Sequence, residues 1–214
     1  MLRKSFLCGA VFFMALSADA NALDVRASDH QLTSLSTPVV SEASLKGAEK
    51  FVNSVADRGI GFLSNETLSQ DQRKKEFQKL LRNSFDLNRI GRFALGRYWR
   101  TASAKQRKEY TSLFKNMVLE VYASRFKEYS GQALHVLSSR PEGKSDILVH
   151  SVIKGPSGPE VKVDWRVRNK GGSYKVIDIL VAGVSMALSQ RSDFASVIER
   201  GGGDVDVLIA HLQK

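Results

Sequence analysis

The run "VKVDWRVRNKGGSYKVIDILVAGVS", Val161 to Ser185, constrains the fold more tightly than any other part of the chain. Val161, Val163, Trp165 and Val167 fall on one face of a strand, and Lys162, Asp164, Arg166 and Arg168 on the other. "NKGGS" supplies the turn into a second strand, because adjacent glycines accept the positive φ of a two-residue hairpin connection. A hairpin with one wholly apolar face has to be covered. The cover is either an ordinary core or the far wall of a space that holds something else.

The rest of the chain fits around this hairpin. Strands are expected near 133–139, 145–154, 160–169 and 173–182, separated by short turns, so the sheet is a four-stranded antiparallel meander. Helices precede it. One is expected over 44–58, stopped by Gly59, a second over 69–84, and a short third capped by Asp86 and closed by Gly96. Ser103 and Gln106 form a capping box that opens a long helix running toward Gly131. Its stripe carries Tyr110, Leu113, Phe114, Met117, Val118, Val121, Tyr122, Phe126 and Tyr129 at helical spacing. Two short helices, near 186–200 and 204–213, close the chain around "GGG" at 201–203. Helices followed by a sheet define an α+β fold, a curved sheet with helices laid across one face.

The first 22 residues read differently. Arg3 and Lys4 precede an apolar run from Phe6 to Leu16, and small residues follow with A-x-A spacing. That is the plan of a secretory signal peptide, and the run is too short to span a bilayer. Residues 1–22 are therefore expected to be removed, 23–43 to form a flexible leader containing Pro38, and 44–214 to form a single domain. Cys8 is the only cysteine and leaves with the signal peptide, so an exported product would depend on its core alone. No later segment is apolar enough to cross a membrane. The expected location is a bacterial periplasm.

Charge limits the partners. The 214 residues include 32 Lys or Arg and 22 Asp or Glu; removing Arg3, Lys4 and Asp19 leaves 30 and 21, a net of +9. A basic surface suits nucleic acid, but export excludes that partner and leaves anionic membranes, anionic ligands or acidic proteins.

Catalytic chemistry is thin. A cysteine nucleophile is excluded after processing, no G-x-S-x-G is present, and "GGG" lacks the lysine and Ser/Thr of a phosphate loop. His30, His135, His150 and His211 are scattered. Asp146 and His150 share a strand face at i, i+4 with His135 nearby, a pattern that a solvated strand explains better than a metal site. Asp178, an acid within "KVIDILV", either caps a backbone group or pairs with an arginine, or else serves as an acid in a pocket. An enzyme on this fold would use Asp178, with Asp164 as second candidate; Asp164 belongs to the polar face.

Two segments carry a family resemblance. "FALGRYWR" at Phe93–Arg100, and "YKVIDILVAGVS" at Tyr174–Ser185 running into "QRSDF" at Gln190–Phe194, resemble the MlaC family, also called toluene-tolerance proteins. The likeness extends over about residues 40–214, and includes a hopanoid-associated branch, the HpnM type. It implies a periplasmic, non-enzymatic and monomeric phospholipid carrier with a cone-shaped α+β fold. Phospholipid is then cargo, not cofactor, and no metal is required. The implied partners are an inner-membrane ABC transporter with its MCE-domain protein and an outer-membrane lipoprotein–porin complex. On this reading Val163, Trp165, Val167, Ile179 and Val181 wall an acyl-chain cavity opposite Phe114, Val118, Val121 and Tyr122, with Phe93 and Tyr98 beside them. Arg97 and Arg100, flanking Tyr98 and Trp99, are candidates for headgroup or partner docking.

Overall fold

The computed structural model describes residues 40–123, 129–156 and 158–214. The expected signal peptide, the leader as far as residue 39, and Phe126 lie outside them. The described chain is α+β, with the element order expected.

Helix α1, Glu42–Leu63, begins at Ser41, whose hydroxyl accepts the Ser44 N–H at 3.2 Å. It does not stop at Gly59. Glycine inside a helix costs about 1 kcal/mol relative to alanine, whereas burying a phenylalanine side chain contributes about 1.5–3 kcal/mol. Phe62 is buried one turn beyond Gly59 and Leu63 packs beside the same core, so the helix continues to them. Helix α2, Gln70–Ser84, opens with a Ser69–Gln72 capping box, Ser69 N–H donating to Gln72 Oε1 at 2.8 Å. Helix α3, Leu87–Leu95, is capped by Asp86, which accepts the Arg89 N–H at 3.0 Å, and closes at Gly96 with φ of 60°. A single turn, α4 (Tyr98–Thr101), leads to α5, Ala104–Ala123, whose Ser103–Gln106 box forms as expected, at 2.9 and 3.2 Å.

The sheet has five strands in sequential antiparallel order, where four were expected: β1 Ala133–Glu142, β2 Asp146–Lys154, β3 Val161–Lys170, β4 Ser173–Val181 and β5 Val184–Ser185. The β3–β4 turn is Gly171–Gly172, at φ of 58° and 87°, with Asn169 Oδ1 accepting the Gly172 N–H at 2.8 Å. The fifth strand exists because the chain reverses again at Ala182–Gly183, both at positive φ, which brings Val184 opposite Val181. Irregularities between Val136 and Ser138 and between Arg166 and Val167 bend the sheet. Helices α6, Met186–Arg200, and α7, Val205–Leu212, complete the chain.

Two apolar cores result. The first lies between the sheet and α1: Val163, Trp165 and Val167 of β3 pack with Val52, Val55 and Phe62. The second is helical, with Tyr110 and Phe114 of α5 packing against Phe194 of α6 at ring-centroid distances of 6.0 and 6.3 Å. The helix along the sheet is thus α1; α5 packs against α2, α3 and α7. The physical reason is placement of the short linkers. The joint between α2 and α3 is held to β4, with Asp86 N–H donating to the Val176 carbonyl at 2.9 Å, and this sets α3 and α5 beside the sheet instead of across its apolar face.

Candidate functional site

Three elements converge on a cleft of about 570 Å³. The α2–α3 joint contributes Arg82, Phe85, Asp86, Leu87 and Asn88; α5 contributes Lys115 and Leu119; the β3–β4 hairpin contributes Arg168, Lys170, Ser173 and Lys175. Its volume lies within the range of roughly 300–1,000 Å³ common to small-molecule sites. Phe85, Leu87 and Leu119 form an apolar floor, and Phe85 reaches the sheet core, its ring 6.5 Å from that of Trp165. The rim is basic.

The rim cations differ in their commitments. Arg168 forks onto Asp146 at 2.5 and 2.8 Å, and this hydrogen-bonded carboxylate raises its pKa further above the ordinary arginine value. Lys175 Nζ donates to the Asn83 carbonyl and pins the hairpin to the end of α2. Arg82, Lys115 and Lys170 have no ion pair among the described residues. Asp86, the sole acid among the described lining residues, has one carboxylate oxygen engaged as the α3 cap.

The residues expected to line a cavity are divided between the two cores. Val163, Trp165 and Val167 are buried against α1, and Ile179 packs beside them. Phe114 and Tyr98 are buried in the helical core, with Val118 packed against it. Val181 is partly buried near the end of β4, while Phe93, Val121 and Tyr122 are exposed. The hairpin face and the α5 stripe therefore do not face each other across a shared space. Each is satisfied by its own partner, α1 for one and α3 with α6 and α7 for the other. None of these residues except Tyr98 lines either cleft described here.

Arg97 has structural engagements, while Arg100 is exposed. Arg97 lies over the Tyr98 ring at 5.0 Å, and its guanidinium donates to Tyr98 Oη at 2.9 Å and Glu199 Oε1 at 2.7 Å. These contacts raise its pKa, the hydrogen bond to Tyr98 foremost. It lines a recess of about 120 Å³ with Gly96, Arg191 and Glu199, away from the larger cleft. Arg100 offers its carbonyl to Arg107 at 3.1 Å.

Asp178 is a structural acid. Oδ1 accepts N–H groups from Ile179 at 2.9 Å and Ala187 at 3.0 Å, and Oδ2 accepts the Ser185 hydroxyl at 2.6 Å. Ser185 in turn caps α6 by accepting the Leu188 N–H at 3.0 Å. The buried carboxylate fastens β4 to α6 and lines neither cleft, which is the backbone-capping alternative of its sequence reading and not the pocket acid. Asp164 bonds His150 Nδ1 at 2.9 Å on the polar sheet face. Among the described residues no group of three or more His, Cys, Asp or Glu is arranged to hold a metal ion.

Sequence reasoning missed the cleft itself. Phe85 and Leu87 were readable as apolar helix positions, and Arg168, Lys170 and Lys175 as charges flanking a turn. Nothing in one-dimensional spacing joins them to Lys115 and Leu119.

These features define an α+β domain with an amphiphilic cleft where its helical and sheet cores meet. The chain belongs to the MlaC family: a family model described as MlaC protein matches residues 53–214. It is 28% identical over 133 residues to the Haemophilus influenzae intermembrane phospholipid transport system binding protein MlaC, covering 60% of this chain and 61% of that one. It is 26% identical over 113 residues to the Pseudomonas putida toluene tolerance protein ttg2D, covering 53% of each. The matches thus span between half and about three-fifths of those relatives. A solved structure of a phospholipid-binding protein from Ralstonia solanacearum, in complex with a phospholipid, superposes with a TM-score of 0.66. At 24% identity, covering 78% of this chain and 94% of that one, it establishes the shared fold.

Proposed function

We propose that this chain is a periplasmic phospholipid carrier. It shields acyl chains from water and passes lipid between an inner-membrane ABC transporter, with its MCE-domain protein, and an outer-membrane lipoprotein–porin complex. It acts by binding, without catalysis and without a cofactor. Membership of the MlaC family, the named role of the H. influenzae relative and the phospholipid held by the R. solanacearum protein support this reading.

The observation that carries it is the cleft, in which Phe85, Leu87 and Leu119 lie beneath a rim of Arg82, Lys115, Arg168, Lys170 and Lys175. An apolar floor under cations is the complement of a lipid, apolar at one end and phosphorylated at the other. The chemistry of transport requires such an enclosure. Exposing two chains of about fifteen methylenes each would cost roughly 24 kcal/mol, at about 0.8 kcal/mol per CH₂. A carrier makes exchange possible by offering the chains surroundings comparable to a bilayer. The cleft opens at the junction of the two cores, so the floor leads the chains between them.

Native mass spectrometry of protein purified from the periplasm tests the proposal. Phospholipid retained at one molecule per chain is the expected result, with transfer to acceptor vesicles faster in the presence of the protein. Protein that carries no lipid and accelerates no transfer would defeat it.

A further inference from the structure

We infer that the cleft selects anionic phospholipid headgroups over zwitterionic ones. The inference rests on the carrier reading and adds the class of headgroup. Among the described residues five cations and one carboxylate line the cleft, and that carboxylate is engaged in capping α3. Of the five, Arg168 is held by Asp146 and Lys175 by the Asn83 carbonyl. Arg82, Lys115 and Lys170 are left with no ion pair among the described residues. They come from three different elements, α2, α5 and β3, so their convergence is a product of the fold and not of a local run of basic sequence.

The chemistry of discrimination follows. Every phospholipid brings a phosphate diester, which these cations attract. A zwitterionic headgroup brings an ammonium as well, and places it among like charges where, among the described residues, the engaged Asp86 alone could receive it. A glycerol headgroup brings hydroxyls in the same place and meets no repulsion. Phosphate attraction alone does not discriminate; repulsion of the second charge does. Because the rim is solvent-facing, the preference weakens with salt, as the screening length falls from about 10 Å at 0.1 M to about 3 Å at 1 M.

The full-length exported protein is incubated with vesicles holding equal parts phosphatidylglycerol and phosphatidylethanolamine, re-isolated, and its cargo read by native mass spectrometry. The expected result at low salt is phosphatidylglycerol enrichment of about fivefold, falling toward parity at 1 M salt. Combined K115Q and K170Q substitutions are expected to bring the ratio near one in the lipid that the variant still carries. Should the double variant fail to fold, the salt dependence of the unaltered protein still decides. Parity in the unaltered protein, or enrichment kept by a folded double variant, would overturn the selectivity and leave the carrier intact. Failure to take up either lipid would overturn the carrier reading itself. Inorganic phosphate at millimolar concentration is expected to leave the cargo ratio untouched; calorimetric binding of phosphate that displaces lipid would assign the cations to a free anion instead.

Discussion

The rings of Phe85 and Trp165 lie 6.5 Å apart at 56°, so one edge of the cleft touches the tryptophan at the centre of the sheet core. Trp165 is one of two tryptophans in the chain, the other being Trp99 in α4. In a Trp99→Phe background, lipid entering over Phe85 is expected to change the emission of Trp165. Titration with phospholipid vesicles measures it. Lipid uptake with constant Trp165 emission would place the chains away from Phe85.

Val167 is fully buried between the sheet and α1, and so reports on core packing. Val167→Phe overfills that space and is expected to lower stability by about 1–3 kcal/mol, a fall of about 2–4 °C in Tm per kcal/mol for a chain of this size. Lipid per folded molecule should be unchanged. Retained Tm with lost lipid would restore the β3 face as a cavity wall.

Asp178→Ala removes the acceptor for Ile179 N–H, Ala187 N–H and the Ser185 hydroxyl. Each buried donor left unsatisfied costs about 1–3 kcal/mol, so thermal unfolding should show a large loss of stability. The folded remainder is expected to keep its lipid. Loss of cargo at unchanged stability would return Asp178 to the site.

Gly91 sits where a β-carbon would lie 2.8 Å from Phe114 Cδ1. Phe114 cannot retreat easily, because Tyr110 and Phe194 hold its ring at 5.9 and 6.3 Å. Overpacking of about 1–3 kcal/mol outweighs the helix-propensity gain of about 1 kcal/mol. Gly91→Ala should therefore lower Tm by a few degrees, and a rise would mean that the helical core has slack.

Tyr110 donates to the Gly91 carbonyl at 2.8 Å, and burial raises its pKa well above the ordinary phenol value. An unfolded tyrosine ionises near pH 10, at about 1.4 kcal/mol per unit of difference between the two states. The folded chain keeps its proton more tightly, so this stabilisation is complete below pH 10 and lost as pH rises beyond it. Denaturant unfolding should show the advantage over Tyr110→Phe shrinking above pH 10. A constant difference would mean that the phenol ionises in place.

Local elements were legible because their causes are local. Asp86 and the Ser103–Gln106 pair form the caps expected, and Gly171–Gly172 makes the turn. The motifs at Phe93–Arg100 and Tyr174–Phe194 pointed to the family that residues 53–214 match. The site was not legible in the same way. A stripe announces that a helix face will be covered, without naming the cover; Tyr110 and Phe114 of α5 are covered by helices and not by the sheet. The stop at Gly59 failed for a similar reason, since the apolar contact that carries α1 onward lies in its own tertiary partner.

The sequence alone determined the α+β order, the antiparallel hairpin, the caps and the family, because each depends on residues within one turn or one strand pair. Tertiary structure decided which apolar face met which. It set α1 on the sheet, gave Asp178 three donors and brought Arg82, Lys115 and Lys170 together from segments up to 88 positions apart. The physical reason is that burial is non-directional. Apolar periodicity dictates that a face leaves water, while the choice of partner depends on the lengths and anchoring of the connections, here the bond from Asp86 to Val176.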